Sequence, residues 1–382
     1  MAGVTLKEGY IRSSRPYFPK QDIDLIVKDI ARTLEEGRLR NGENLLSFER
    51  MFAEYVGVKQ AVAFDSDGDA LETALRYYEV KGREVVVCTN SFISIPNSVV
   101  YAGGKVVFAD IKENTLSMDP HSLLDSISKN TCGVVVTHIA GFPNPDLSEI
   151  MQICEAHDLF LVEDATHAVG ATIRGRKVGT FGDAAVFAFT PTKVLTTGEG
   201  GMLATDSTEL SEEARTIRFY GSGKAKTTFV NLGRNMVLPE VSAILGIYQL
   251  KRVEEFIAKR NRIARIYDEE LNRLDLVKTI ECPYGNRSSY YKYPLILDAH
   301  VDKARFTQLL EKEYGVETGN VFYPPCHMQP VYGTRGAEFS EKKLSVSERI
   351  LSQTITLPMH AALTDEDAQY VVKSCCAVLA SL

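Results

Sequence analysis

The chain has 382 residues, of which 45% are hydrophobic and 24% are charged, and it carries a net charge of −7 at pH 7. This composition is typical of a globular protein with enough apolar material for one large domain and a smaller one. An acidic balance without a long basic block argues against binding to nucleic acid or to an anionic membrane surface.

Targeting signals, cysteines and histidines further limit the predicted location of the protein and its cofactors. The start MAGVTLKEGYIRSSRP is polar and mixed, so we expect no signal peptide, and no 18-residue apolar run predicts a membrane span. The seven cysteines form no CxxC pair, which favours reduced thiols and a cytoplasmic location. The seven histidines show no HExxH or Cys/His spacing, so no metal site is predicted.

Short apolar runs alternate with helical patterns over the first two-thirds of the chain. Most runs are rich in β-branched residues and lack polar alternation, as expected for strands buried on both faces. Between them lie amphipathic segments such as Asp146–Ala156. The alternation predicts an α/β fold with right-handed βαβ units and a mostly parallel sheet. The predicted strands are Ala61–Phe64, Glu84–Cys88, Val106–Ala109, Gly133–His138, Phe160–Glu163 and Ala184–Phe189.

The pattern changes around Pro239. A stretch of more than 30 residues there has apolar side chains at roughly helical spacing, which predicts a long helix or a pair of helices. The shorter segments that follow are typical of a small α+β unit. We therefore predict a large domain over residues 1–250 and a small C-terminal domain over residues 251–382.

Polar and aromatic side chains follow the ends of the predicted strands. The turn Asp65–Asp69 follows the first strand, Phe92 the second, Asp164 and His167 the fifth, and Lys193 the sixth. Because sites in parallel sheets form at the carboxyl ends of strands, we expect these side chains to converge on one rim. A strand-to-helix turn has free N–H groups that bind anions, although this turn carries three carboxylates.

This set of side chains suits pyridoxal phosphate (PLP). A lysine bonds to the aldehyde, a carboxylate keeps the pyridinium nitrogen protonated, an aromatic ring stacks on the cofactor, and the turn holds the phosphate. Each residue also has an ordinary interpretation: an aspartate after a strand caps a helix, a lysine is solvated, and TTGEGG is a flexible turn. A full GxGxxG pattern is absent, which argues against a dinucleotide domain.

The segment EDATHAVGATIRGRKVGTFGDAAVFAFTPTKVLTTGEGGMLAT resembles the signature of the DegT/DnrJ/StrS-type sugar aminotransferases, which are PLP enzymes of fold type I. Four further segments are similar to family segments in the family's order, so the resemblance spans most of the chain. It implies a large domain with a mostly parallel, seven-stranded sheet between helices and a smaller α+β domain. The four segments are FERMFAEYVGVKQAVAF, SVVYAGGKVVFADI, LGRNMVLPEVSAILGIYQLKR and YPPCHMQPVYG.

The resemblance implies roles for individual residues around the cofactor ring. Lys193 matches the catalytic lysine that bonds to the cofactor. Asp164 matches the partner of the ring nitrogen, His167 lies near the ring hydroxyl, and Phe92 matches the stacking aromatic residue.

At the phosphate end, Ser66, Asp67 and Gly68 match the family's phosphate turn. Asn235 matches an asparagine that reaches the phosphate from the neighbouring subunit, which implies a homodimer with shared active sites.

Two further residues lie in a segment that borders the substrate pocket in relatives. They are Tyr323 and His327, and for His327 an ordinary loop position is an equally open interpretation.

The reaction that the resemblance implies is a two-step amino transfer. L-glutamate, or glutamine, converts PLP to pyridoxamine phosphate (PMP), which then aminates a keto sugar, commonly nucleotide-linked, or a keto-cyclitol. The retained Lys193 favours transfer over dehydration. Another PLP reaction, such as that of a dehydratase or an aldolase, and a non-catalytic regulatory role remain open alternatives.

The sequence departs from the family pattern at the phosphate end. The usual S-G-T is here Ser66, Asp67 and Gly68, and the serine of F-S-F is here Ala188. An often basic position is Val237. Because two hydroxyl donors are lost and a carboxylate is added, we expect weaker PLP binding than in relatives. We also expect Asp67 to turn away from the phosphate or to contact it through its N–H group.

Two loops are candidates for substrate contacts. They are Tyr220–Thr227 and Val331–Phe339, whose Lys224, Lys226 and Arg335 could meet a diphosphate or a sugar phosphate. Solvated loop charges are the common alternative.

Overall fold

The computed structural model describes residues 9–223, 225, 227–333 and 343–382. The helices are α1 (Lys20–Glu36), α2 (Glu43–Val56), α3 (Asp67–Tyr77), α4 (Ser94–Tyr101), α5 (Pro120–Leu124), α6 (Leu147–Ala156), α7 (Thr208–Ile217), α8 (Glu240–Leu271), α9 (Lys303–Tyr314), α10 (Pro330–Gly333), α11 (Ser345–Gln353) and α12 (Asp365–Leu379). The strands are β1 (Gln60–Phe64), β2 (Glu84–Cys88), β3 (Lys105–Ala109), β4 (Thr131–Thr137), β5 (Phe160–Asp164), β6 (Thr172–Ile173), β7 (Arg176–Lys177), β8 (Ala184–Ala188), β9 (Gly201–Thr205), β10 (Val277–Thr279), β11 (Tyr293–Leu297) and β12 (Thr354–Leu357).

The central sheet confirms the predicted α/β class. Its strand order is β1-β9-β8-β5-β4-β2-β3, and the pairs β2–β3, β2–β4, β4–β5 and β5–β8 are parallel. Helix α6 lies within the predicted segment and buries Leu147, Ile150 and Cys154. The six predicted strands are all present, with ends shifted by a residue or two.

The seventh strand, β9, is not among the predicted strands. Its sequence GMLAT has little β-branched character and follows the glycine-rich TTGEGG, so the local pattern is weak. β9 pairs antiparallel with both β8 and β1 and therefore separates β1 from the parallel strands. As a result, β1 is an edge strand, and the turn that follows it lies at the border of the sheet.

Charged side chains close the free edge of β1. The Ala63 N–H group donates to Glu49 at 2.9 Å, while Arg215 donates to the Ala61 carbonyl at 3.0 Å and Arg218 donates to the Ala63 carbonyl at 2.6 Å. Arg218 also pairs with Glu49 at 2.5 Å. These bonds satisfy edge groups that would otherwise attract another strand, and they fix the strand that leads into the Asp65–Asp69 turn.

A smaller unit follows the central sheet. Strands β10, β11 and β12 form an antiparallel sheet that packs with α11, and α9 packs with α12. Helix α8 contacts α2 of the large unit and α12 of the small one, so the predicted boundary after residue 250 falls inside a continuous helix. The N-terminal segment joins the small unit, since Ile11 pairs with Val316 and the Ser13 N–H group donates to Glu317 at 2.7 Å.

Candidate active site

A cavity of about 300 Å³ lies at the carboxyl edge of the central sheet. The large unit contributes residues that follow β1, β2, β5 and β8, as the rim argument predicts. The small unit and the N-terminal segment close the other side. The residues that line it include Asp67, Phe92, His167, Lys193, Tyr291 and Lys292.

Asp164 ends β5 behind this cavity and is 1% exposed. Its carboxylate accepts hydrogen bonds from the Thr137 hydroxyl at 3.0 Å and from the Thr166 N–H group at 3.2 Å. Burial raises the pKa of Asp164, while these hydrogen bonds and the charge of Lys193 act against the rise. A buried carboxylate held by neutral donors is stabilised further by a cationic partner.

His167 lies in the cavity wall with its protonation set by its neighbours. The Ala140 N–H group donates to Nδ1 at 3.2 Å, so the proton of the neutral ring is on Nε2. Burial, followed by the charges of Lys193 and Lys292, lowers the pKa of His167 well below its usual value. The ring is thus a neutral Nε2–H donor at physiological pH.

Aromatic rings hold this part of the cavity in shape. The His167 ring lies 4.3 Å from the Tyr291 ring and 5.4 Å from the Phe322 ring, measured between centroids. Phe92 lies 5.8 Å from Phe322, is 50% exposed and lines the cavity, so part of its ring is accessible to a ligand there.

Lys193 follows β8 in a turn in which its N–H group donates to the Thr190 carbonyl at 3.1 Å. The Nζ atom lies 4.7 Å from the centroid of the Tyr291 ring. Among the described residues, Lys193 forms no ion pair within 4 Å, so its amine is not held by a carboxylate. The Tyr291 hydroxyl and the Thr192 hydroxyl are 3.1 Å apart, which ties the small unit to the lysine turn.

Ser66 is the N-cap of α3. Its hydroxyl accepts from the Asp69 N–H group at 3.1 Å and donates to the Asp69 carboxylate at 2.7 Å. Ser66, rather than any of the three aspartates of the turn, therefore caps the helix. The N–H groups of Asp67 and Gly68 belong to the first turn of α3, where no intrahelical acceptor exists.

The Asp67 carboxylate has a donor of its own. The Ser94 hydroxyl, on the first turn of α4, donates to it at 2.9 Å, and Asp67 lines the cavity. Ser94 is thus engaged by the carboxylate. A β-carbon added at Gly68 would lie 3.7 Å from its nearest neighbour, the Ser98 hydroxyl. The structure therefore has space at this position for the threonine side chain of the usual S-G-T turn.

The other two aspartates of the turn are placed differently. Arg234 pairs with Asp69 at 2.9 Å and with Glu72 at 2.5 Å. Burial, followed by the charge of Asp69, raises the pKa of Asp65 to about 6. Arg234 is a charge partner that sequence reasoning missed, although it directly precedes the predicted Asn235.

Asn235 is exposed and lies beside the same turn. The carbonyl of its neighbour Met236 accepts from the Asp65 N–H group at 3.0 Å, and Val237 pairs with Phe64 in an isolated bridge. Val237 is buried, so the position where relatives often have a basic residue faces the core here.

The two predicted substrate residues lie outside the cavity lining. His327 is held between the Thr89 hydroxyl at 2.6 Å and Glu348 at 3.3 Å, and burial lowers its pKa. Tyr323 is 43% exposed and lies beneath Lys303, whose Nζ is 5.1 Å from the ring centroid. Their neighbour Phe322 lines the cavity instead.

Sequence reasoning missed Tyr291 and Lys292, which precede β11. The string SSYYKYPLIL shows aromatic residues and a lysine before a strand, but nothing in it indicates that this strand end faces the other unit. Of the candidate loop charges, Lys224, Lys226 and Arg335 lie outside the described residues, as does most of Val331–Phe339.

In the described part of the chain, no group of three or more histidine, cysteine, aspartate or glutamate side chains is placed to hold a metal ion. No described helix is both long enough and apolar enough to cross a bilayer.

Comparisons with known proteins identify the family of the chain and agree with its fold. The chain is 32% identical to the spore coat polysaccharide biosynthesis protein SpsC of Bacillus subtilis, over 97% of each chain. It is 32% identical to GDP-perosamine synthase of Caulobacter vibrioides, over 87% of this chain and 89% of that one. The structure of Helicobacter pylori PseC, an aminotransferase of pseudoaminic acid biosynthesis, superposes with a TM-score of 0.91 at 27% identity, covering 98% of this chain and 100% of that one. A family model matches residues 20–375, and the chain belongs to the DegT/DnrJ/EryC1/StrS aminotransferase family.

Proposed function

We propose that this protein is a PLP-dependent aminotransferase that moves an amino group from L-glutamate or glutamine to a keto sugar, nucleotide-linked, or to a related keto-cyclitol. The observation that carries the proposal is that His167 and Lys193 line one cavity, while the buried Asp164 lies close enough for the charge of Lys193 to act on its carboxylate. The relatives' names, which include GDP-perosamine synthase, support a sugar as the acceptor. A cytoplasmic location stays a prediction.

The ring end of the site fits PLP. Asp164 is a buried carboxylate whose hydrogen-bond partners are neutral, and a pyridinium N–H group would supply the missing cation. The neutral His167 offers Nε2–H to the ring hydroxyl, and Phe92 offers the accessible part of its ring. The phosphate end retains the N–H groups of the first turn of α3, opposed by the Asp67 carboxylate.

When bound, PLP supplies an electron sink that lowers the barrier to removing a proton from the adjoining carbon. Lys193 would hold the cofactor and, once released, move that proton between the cofactor and the substrate carbon. His167 would orient the cofactor ring, and the Tyr291 and Phe322 rings, which pack against His167, would exclude water from that side.

A spectroscopic half-reaction tests this function. L-glutamate added to the purified holoenzyme should convert the absorbance of the aldehyde form of the cofactor to that of the amine form. Lys193→Ala should abolish the conversion, because the variant lacks the amine that moves the proton between the cofactor and the substrate carbon. Normal turnover in Lys193→Ala would overturn the assignment of Lys193. If neither glutamate nor glutamine changes the cofactor of the wild type, the proposed donor is wrong. A panel of keto sugars then identifies the acceptor.

We also propose that two copies form a homodimer whose sites share Asn235. The support is that Asn235 is exposed beside the turn and that apolar side chains nearby in the chain are strongly exposed, with Phe229 at 65% and Leu232 at 85%. Two defective variants can test this sharing: Asn235→Asp, which adds a charge facing the phosphate, and Lys193→Ala. Mixed under subunit exchange, they should regain about a quarter of wild-type activity, since half of the dimers are mixed and each has one intact site. No regain would show that Asn235 serves its own chain.

A further inference from the structure

A second lysine lines the reactive cavity and has no carboxylate partner among the described residues. Lys292 donates a hydrogen bond from Nζ to the Asn320 carbonyl at 2.6 Å, and this bond uses one of its three donors. The Nζ atom also lies 5.6 Å from the ring centroids of Tyr291 and Phe322. The side chain is partly buried, so its position is set by packing.

Lys292 and Lys193 face the same small space. Both Nζ atoms lie within 6 Å of the centre of the Tyr291 ring, and both charges act on His167. Two cations that close together repel each other, and burial adds to the cost of keeping Lys292 charged. Among the described residues that line the cavity, two lysines stand against the single carboxylate of Asp67, so an anionic ligand beside Lys292 would relieve their mutual repulsion.

We infer that Lys292 binds the α-carboxylate of the amino donor, and this inference rests on the proposed amino transfer. An amino-acid donor has a carboxylate one bond from the reacting carbon, so an anion must lie close to Lys193 during the reaction. Lys193 cannot serve as its permanent counter-charge, because its amine has to exchange with the donor. Lys292 supplies the remaining cation of the cavity wall, with His167 Nε2–H as a neutral neighbour.

A nucleotide diphosphate is the competing source of negative charge. It fits less well, because Lys292 lines the same cavity as Lys193, beside which the reacting carbon must lie. The diphosphate of a sugar nucleotide is separated from the reacting carbon by the sugar ring and would lie toward the mouth of the cavity. The donor carboxylate is thus the anion expected inside the cavity that Lys292 and Lys193 both line.

The test compares two carbonyl reagents on the holoenzyme. Aminooxyacetate and methoxyamine both condense with the cofactor aldehyde and displace the Lys193 amine, but aminooxyacetate alone carries a carboxylate. In Lys292→Met, the ratio of the aminooxyacetate rate to the methoxyamine rate should fall roughly 10- to 100-fold, the range expected for loss of a charge-assisted hydrogen bond. Lys292→Arg should restore much of the ratio.

Lys177→Met is the matched control, because this lysine also lies over a tyrosine ring, with Nζ 4.4 Å from the centroid of Tyr55, but it is outside the cavity lining. It should leave the ratio unchanged. An unchanged ratio in Lys292→Met would overturn the inference, and weaker inhibition by a nucleoside diphosphate in the same variant would assign Lys292 to the sugar nucleotide instead. Because the reagents react with the cofactor whatever the natural donor is, this result is independent of whether glutamate is the donor.

Discussion

Asp67 is the residue of this site whose replacement should improve cofactor binding. It stands in the first turn of α3, whose free N–H groups face the expected phosphate, and the Ser94 hydroxyl holds its carboxylate at 2.9 Å. In Asp67→Asn, the amide oxygen can accept the same hydrogen bond while the charge is lost. We therefore expect the variant to bind PLP more tightly than the wild type.

The size of the effect follows from Coulomb's law. Two unit charges separated by about one helical turn, 5.4 Å, repel by roughly 0.8 kcal/mol in water and by about 3 kcal/mol at an effective dielectric constant of 20. Asp67 is neither fully exposed nor buried, so an intermediate cost of about 1–2 kcal/mol is reasonable. This corresponds to PLP binding that is roughly 5- to 30-fold tighter in Asp67→Asn.

Titration of the apoenzyme with PLP, followed by equilibrium dialysis or fluorescence, measures the difference. Asp275→Asn removes one charge from an exposed loop before β10 and should leave the PLP affinity unchanged. The double variant Asp67→Gly with Gly68→Thr should bind more tightly still, because position 68 has room for the hydroxyl. Equal or weaker PLP binding by Asp67→Asn at low salt would refute the reasoning.

Two further predictions concern the same turn. The pKa of Asp65 is raised from 3.8 to about 6, so its ionisation destabilises the fold above pH 6, and this cost is lost as the pH falls toward 4. Asp65→Asn should therefore be more stable than the wild type by about 1 kcal/mol at pH 8, after allowance for partial exposure, and urea titrations at pH 8 and pH 4 should show the advantage shrinking with acid. A pH-independent difference would contradict this assignment. Gly201→Ala should weaken PLP binding and lower the melting temperature, because its β-carbon would lie 2.4 Å from the Asp67 nitrogen, whereas Ala at Gly68 should fold normally.

The convergence of some candidate residues at one edge of the sheet follows from strand order. Asp164, His167 and Lys193 each follow a run of buried, mostly apolar residues, and parallel strands bring such ends to one edge whatever the rest of the chain does.

The residues that the sequence did not locate depend on contacts between distant segments. Tyr291 and Lys292 reach the cavity because the small unit docks on the lysine turn through Thr192, a contact that no local pattern encodes. β9 was missed because its direction is fixed by pairing with β1, about 140 residues away in the chain. The sequence does not determine which residue is the N-cap of α3, because serine and aspartate are nearly equal in this position and only the backbone geometry decides between them.

The acidic turn is compatible with a bound anion because the negative charges of two of its three carboxylates are reduced by their surroundings. Asp69 is paired with Arg234, and Asp65 is raised in pKa by burial and by Asp69, so a proton is available to it near neutrality. Asp67 has a hydroxyl donor but no cation among the described residues, so it is the carboxylate of the turn that would repel a bound phosphate most. Neutralising Asp69 instead would release Arg234 from one of its two carboxylate partners and disturb the cap at Ser66. A change in PLP affinity in such a variant would therefore combine the loss of a negative charge with damage to the turn. The Asp67→Asn variant therefore measures how much PLP affinity the carboxylate at this position of the turn costs.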